Sequence, residues 1–273
     1  MQVLKQQNFK LGNESIPAVK DYVYLGGKFR SDLKLDGMVK HRLIRANGAV
    51  KSIAPVLANV KIPLSMRRLL VLAFIQPTLT FGGELLGMRA AGLSLPLQKV
   101  MNRALNMIII GRERFQVRAA PEAVMIELGM PPIQACLDGT RARAFSKYKI
   151  SKTYVSALYE GIAQGWVGQS KKWLEKNAPQ LAVFNKIGKK FLEKNNINKA
   201  AFLDYDEVPS KMLSKKIKWV MAERIWAKNG GASLQRYRDN GYRETRAYIK
   251  GTSVAGVEFS KGYHRIFQMR CGG

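Results

Sequence analysis

Carboxylates gathered closely enough to share divalent cations are the clearest sequence sign of phosphoryl-transfer chemistry, because two cations clamp the attacking and leaving oxygens of such a reaction. The chain offers one gathering of this kind, Asp204, Asp206 and Glu207 around Tyr205. It sits between Leu203 and Val208-Pro209-Ser210, just ahead of a helical stretch, where acidic residues serve as caps and turn formers. That competing use outweighs metal binding. His41 and His264 are the only histidines, too little material for a zinc site or an acid-base pair. Cys136 and Cys271 are far apart, with no second cysteine at ligand spacing; Cys136, near Ile133 and Leu137, reads as a small hydrophobe. Phosphate-binding loops, nucleophile elbows and dinucleotide fingerprints are absent from the sequence. No catalytic residue, metal ligand or cofactor is therefore assigned to the chain itself.

The remaining chemical signal is basic residues interleaved with aromatics: Lys171-Lys172-Trp173, Lys215 to Trp219, Arg236-Tyr237-Arg238, Tyr242-Arg243 and Tyr263-His264-Arg265. Lys and Arg neutralise phosphates and release counterions, and aromatic faces stack on unpaired bases. Trp219 and Trp226 fall on or near the apolar side of their helix and are expected in the core. Arg236, Tyr237 and Arg238 are the candidate RNA contacts. The 46 Lys and Arg against 19 Asp and Glu give a formal charge of +27. Such a field favours nucleic acid first and an anionic membrane surface second. The charge is spread along the chain, 23 basic and 9 acidic residues falling in the first 150, which predicts basic faces on folded elements rather than a disordered arm.

With 273 residues, 47% of them hydrophobic, the chain is long enough for a sizeable core and two modules. Residues 9 to 16 read as a strand-like beginning with a Gly12-Asn13 turn, and Asp21 to Phe29 as a strand, a Gly26-Gly27 break and a second strand. From residue 33 the apolar period becomes helical, with Leu35, Met38, Val39, Leu43, Ala46, Val50 and Ile53 on one stripe and a cationic outer face. Ser65 is the expected N-cap of a helix that enters with Arg67 and Arg68 and stops at Pro77. Cations so early oppose the helix dipole, to be offset either by a negative partner or by solvent exposure alone. The run Leu69 to Phe81 is too short and interrupted to span a bilayer, which takes roughly 20 apolar residues, so no membrane is expected. Leu97, Val100, Met101, Ala104, Leu105 and Ile108 mark another helix; Pro121 and Gly129 bracket a short one, and a further helix runs to about Tyr148. Ser210 to Lys228 repeats the amphipathic pattern. The amino terminus lacks an apolar signal core, and the cysteine usage suits a reducing, intracellular compartment, nuclear or cytoplasmic.

In order along the chain, these pieces resemble the carboxy-terminal part of a reverse transcriptase of the non-LTR (LINE-type) retrotransposon family. Tyr22-Val23-Tyr24-Leu25-Gly26 followed by Phe29 is similar to that family's palm-end strand, His41 to Ala54 to its first thumb helix, and Met66 to Gly83 to a helix ending in an aromatic-Gly step. Gln98, Asn102, Arg103 and Ala104 resemble a further helix motif; Ala119 to Pro131 resembles the family's Pro-to-Glu-Leu-Gly string, the most specific of the set. The likeness covers roughly residues 9 to 150. It implies a mainly α fold with a small amino-terminal β element: a palm-end hairpin over residues 1 to 30, a thumb-like helical domain over 31 to 150, a looser basic helical connector over 151 to 232 and a truncated carboxy-terminal region over 233 to 273.

The resemblance further implies that Tyr24, Leu25, Gly26 and Gly27 form a primer-side turn, and that His41, Arg42, Arg45, Arg67, Arg68 and Arg103 contact the nucleic-acid backbone of a template-primer duplex. Gly27 and Lys28 depart from the apolar residues that commonly follow the strand. The family's aromatic-Ala-Asp-Asp motif would precede Phe9, so magnesium belongs to the complete enzyme and the chain alone is expected to be inactive. Three functions remain open from sequence: a non-catalytic nucleic-acid-binding portion of an RNA-directed DNA polymerase, a subunit completing a split reverse transcriptase with a fingers-palm polypeptide, and a stand-alone basic RNA-binding protein.

Overall fold

A computed structural model describes residues 10–17, 19–24, 26–32, 34–89, 91–111, 120–149, 165–177, 210–229, 249 and 257–271. The fold is mainly α, with a small antiparallel β element at its amino-terminal end. Strands β1 (Lys10–Leu11) and β2 (Glu14–Ser15) form one pair, and β3 (Asp21–Tyr24) and β4 (Gly27–Arg30) a second. In the second pair Tyr22 faces Phe29 and Tyr24 faces Gly27, leaving a two-residue connection. Gly26 takes φ +77° there, a left-handed conformation that costs a residue with a Cβ. Gly26 thus sits in the turn, whereas Gly27, expected from sequence to share the break, already belongs to β4.

Helix α1 (Asp36–Leu57) buries Met38, Val39, Ala46 and Val50 as its periodicity predicts. Arg42 sits in the same phase and is buried with them. The next helix departs from expectation at both ends. Pro63, not Ser65, occupies the N-cap position of α2 (Leu64–Leu70), and the helix passes through Pro77 instead of stopping at it. A π turn at Val71–Ile75 joins α2 to α3 (Gln76–Thr80), with the Gln76 N–H reaching back to the Val71 carbonyl. A proline ring clashes with the carbonyl four residues earlier, and the wider π turn relieves that crowding.

Helices α4 (Gly83–Leu86), α5 (Leu95–Ile110), α6 (Pro121–Glu127) and α7 (Ile133–Lys149) follow. All six apolar positions read from the α5 pattern are buried. Pro121 opens α6; at its end the Met130 N–H bonds the Met125 carbonyl and the Gly129 N–H the Ile126 carbonyl, with Gly129 at φ +61°. That pair of bonds satisfies carbonyls left over at the helix end.

Helices α8 (Trp166–Asn177), α9 (Ser210–Asn229) and α10 (Val257–Cys271) complete the described elements. The main core runs from Met38 through α5, α6 and α7 and also takes in Ala222 and Trp226 of α9, Ile249, and Phe267 and Cys271 of α10. Helix α9 packs along α7, and α10 closes over α5 and α6. A smaller cluster of Phe145, Leu174, Leu213 and Ile217 with their neighbours ties α7, α8 and α9 together.

Candidate nucleic-acid interface

The five arginines and one imidazole expected to touch a duplex backbone divide sharply between inside and outside. Arg67 is fully buried. Its Nε donates to the Ile62 carbonyl at 3.0 Å, its Nη1 to the Leu57 and Ile108 carbonyls at 3.3 and 3.0 Å, and its Nη2 lies 3.3 Å from His264 Nδ1. Leu57 ends α1 and Ile108 lies in the last turn of α5, so one guanidinium serves the free carbonyls and negative dipole ends of two helices. Burial lowers its pKa to about 10, which leaves it charged at neutral pH. Arg68 is half-buried and donates from Nε to the Leu128 carbonyl at 2.6 Å, at the carboxyl end of α6. Of the two offsets left open by the sequence, a negative partner or solvent, helix ends supply the first, and the Arg67 guanidinium is withdrawn from external phosphates.

Arg42 is also withdrawn from solvent, at 3% exposure. Its Nη2 donates to the Gly26 carbonyl, and its guanidinium lies 3.9 Å from the centroid of the Phe81 ring. It clamps the β3–β4 turn and the end of α3 onto α1, and burial, ahead of repulsion from Arg45, lowers its pKa. His41 is half-buried beside it. Of the expected turn residues, Gly26 and Gly27 lie against α1 in this way and Tyr24 contributes backbone to β3. Leu25 falls outside the described residues, as do Arg236, Tyr237 and Arg238 and the Asp204, Asp206, Glu207 cluster.

Arg45 and Arg103 are the exposed members of the expected set. Arg45 shares the outer face of α1 with Lys40, Ile44, Gly48, Lys51 and Ser52, and Arg103 extends that face onto α5. Asn47 joins the two helices there: its Nδ2 donates to the Leu43 carbonyl and its Oδ1 accepts from Arg103 Nη1 at 2.8 Å. The side chains are held by α1's own phase, since Lys40, Ile44, Gly48 and Lys51 follow one another at steps of three and four. Lys40, Lys51 and Asn47 were not among the expected contacts. Their signal was available, because from Gly37 to Arg112 the chain carries 11 Lys and Arg and a single acid, Glu84. No carboxylate on α1 beyond Asp36, and none on α5, competes for these cations.

The remaining chemical candidates are internal. Burial pushes the Cys136 thiol up to about 12, so it is inert as a nucleophile. Asp138 is buried, accepts from the Met88 N–H and from Gln134 Nε2, and has its pKa raised to about 6 by burial. His264 is buried against Arg67 and has its pKa lowered to about 4 by burial and then by that guanidinium. Among the described residues no group of three or more His, Cys, Asp and Glu is arranged to hold a metal ion, and no helix is long and apolar enough to cross a membrane. Compared with known proteins, the chain matches no family model, no curated sequence and no solved structure.

Proposed function

We propose that the chain is the nucleic-acid-binding thumb and connector portion of a non-LTR retrotransposon RNA-directed DNA polymerase, and that it carries no catalytic site of its own. The observation that carries this reading is the outer face of α1, where Lys40, Arg45 and Lys51 stand exposed on a helix with no carboxylate past Asp36, with Arg103 joined to it through Asn47. Cations at helical spacing along one exposed face meet the phosphates of a duplex without reading its bases. The β3–β4 turn supports the same reading, because Arg42 fixes it beside that face as a primer-side turn requires. The donor set of the described residues does not fit a magnesium site. The metal chemistry of such a polymerase is assigned to a fingers-palm polypeptide.

A partner of that kind has a surface to meet. Tyr22, Val23 and Phe29 are 59%, 54% and 41% exposed on a sheet of only two strands, and isolated two-stranded sheets are marginal until more strands or a covering layer join them. The setting is intracellular, in the nucleus or cytoplasm. The test is a titration of a primer-template duplex at rising salt: the binding constant falls steeply with salt concentration if phosphates are the contacts, and an affinity indifferent to salt overturns the reading.

A further inference from the structure

A second basic concavity lies off the α1 face. It is a cleft of about 760 Å³ between β4 and the start of α1 on one side and α4 and the start of α8 on the other, walled by Phe29, Leu35, Leu85 and Trp166 and rimmed by Lys34 and Arg89. A groove of about 350 Å³ adjoins it, sharing Arg89, walled by Trp173 of α8 and Ile225 of α9, and lined as well by Lys228, Glu122 and Asp138. Both volumes are within the range of about 300–1,000 Å³ in which small organic groups are held.

Trp166 is built as a fixed platform. Its Nε1 donates to the Glu84 carbonyl at 2.6 Å. Behind it the buried Arg141 donates to the Trp166 carbonyl at 3.0 Å, to the Gly87 carbonyl at 2.9 Å and to Ser170 Oγ at 2.8 Å. Phe145 and Tyr148 pack near its ring at centroid distances of 6.4 and 6.1 Å. Trp166 is thus anchored on one side by hydrogen bonds and ring packing, and it also lines the cleft.

The adjoining groove carries oriented amides. Gln98 accepts from the Ile133 N–H and donates to Asn102 Oδ1 at 2.7 Å, which turns the Asn102 Nδ2 donors the other way; Gln134 donates from Nε2 to Asp138 Oδ1, which leaves its Oε1 as an acceptor. Exposed cations, aromatic walls and a preset donor and acceptor within adjoining concavities are the composition that recognises unpaired bases strung on a phosphate backbone. A duplex presents no free base faces to such a recess.

We propose that the Trp166 cleft and the Trp173 groove form a track for single-stranded nucleic acid, with bases stacked on the two tryptophans and the intervening phosphate on Arg89. Lys34 holds the phosphate at the Trp166 end. The track deepens the function proposed above by separating a single-strand site from the duplex-binding face of α1.

The experiment measures anisotropy of a labelled 12-nucleotide uridine oligomer, its deoxy counterpart and a blunt duplex on the full chain and on two sets of variants. Lys34→Ala with Arg89→Ala is expected to weaken both single strands about tenfold and leave the duplex within twofold; Arg45→Ala with Lys51→Ala is expected to do the reverse. Trp166→Phe keeps an aromatic platform and is expected to bind within about threefold of the parent, while losing part of the tryptophan quenching that the oligomer causes. Single-strand affinity unchanged in the Lys34 and Arg89 double variant overturns the track and leaves the α1 face standing. Duplex affinity unchanged in the Arg45 and Lys51 double variant overturns the α1 reading without touching the track. Unaltered quenching in Trp166→Phe removes Trp166 from the binding surface and with it the proposal as drawn.

Discussion

Two regions of this molecule use the same side chain for opposite ends. At the inner junction where α1, α5 and α10 meet, Arg67 is buried and its guanidinium is spent on three backbone carbonyls and a histidine. Some turns away on α1, Arg45 stands in solvent with Lys40 and Lys51. The difference is helical phase. Arg67 follows Leu64 by three and precedes Val71 by four, and Arg42 lies four from both Met38 and Ala46, so both fall on the buried stripe. Arg45, three residues after Arg42 and about 60° round the helix from it, falls just outside that stripe and is exposed. An arginine in a basic protein is thus structural or available according to the stripe it occupies, and net charge alone cannot tell the two apart.

The comparison breaks most visibly at the inner junction. Arg67→Ala is expected to destabilise the fold by on the order of 4 kcal/mol, because it orphans three carbonyls and opens a cavity; urea denaturation measures it. A loss below about 1 kcal/mol would put Arg67 with the surface cations.

Acid probes the same junction. The His264 pKa is lowered to about 4 in the folded state from an ordinary value of 6.5, so between those values the unfolded chain binds the extra proton and stability rises with pH. The contribution, about 3 kcal/mol, is present above pH 6.5 and lost as pH falls toward 4. Asp138 works against it: with a folded pKa of about 6 against 3.8, its protonated form favours the folded state, and that contribution fades as pH rises from 4 to 6. His264→Gln keeps an acceptor for Arg67 and removes the titration, so the slope of stability against pH in this window should turn toward the Asp138 sign. An identical slope in parent and variant would mean that His264 does not titrate against Arg67.

Arg42 sharpens the boundary between the two regions, being buried yet adjacent to the exposed face. Arg42→Leu removes the bond to the Gly26 carbonyl and the packing against Phe81. It is expected to cost about 2 kcal/mol and to speed amide exchange in residues 21–30 more than in α5. Equal protection across both would show that the turn is held by something else.

Much of the architecture was legible because apolar periodicity is a local property. The six core positions of α5, the stripe of α1, and the Pro121 and Gly129 ends of α6 all follow from spacing and backbone preference. Pro77 misled because a π turn upstream absorbs it, and nothing local signals that turn. The packing of the carboxy-terminal helix was not legible for a different reason. Ser260, His264, Gln268 and Arg270 of α10 bond Val60, Arg67, Ile109 and Glu127 respectively, pairings across the whole chain that no periodicity encodes. Exposure at the candidate site was legible for only part of the expected set. Arg45 and Arg103 are exposed as expected, Arg42, Arg67 and Arg68 are taken up inside, and Lys40 and Lys51 join the outer face although only their phase and the acid-free stretch marked them.

The smallest effect on stability belongs to the outer face and carries the most weight for function. Arg45→Ala, Lys51→Ala and Arg103→Ala together should change unfolding free energy by no more than about 0.5 kcal/mol per site. The decisive measurement is the slope of log binding constant against log salt for a primer-template duplex, in the parent and in this triple variant. The account predicts a slope shallower by about one for each phosphate the variant no longer neutralises, some two to three units in all. Equal slopes in a folded triple variant would contradict it.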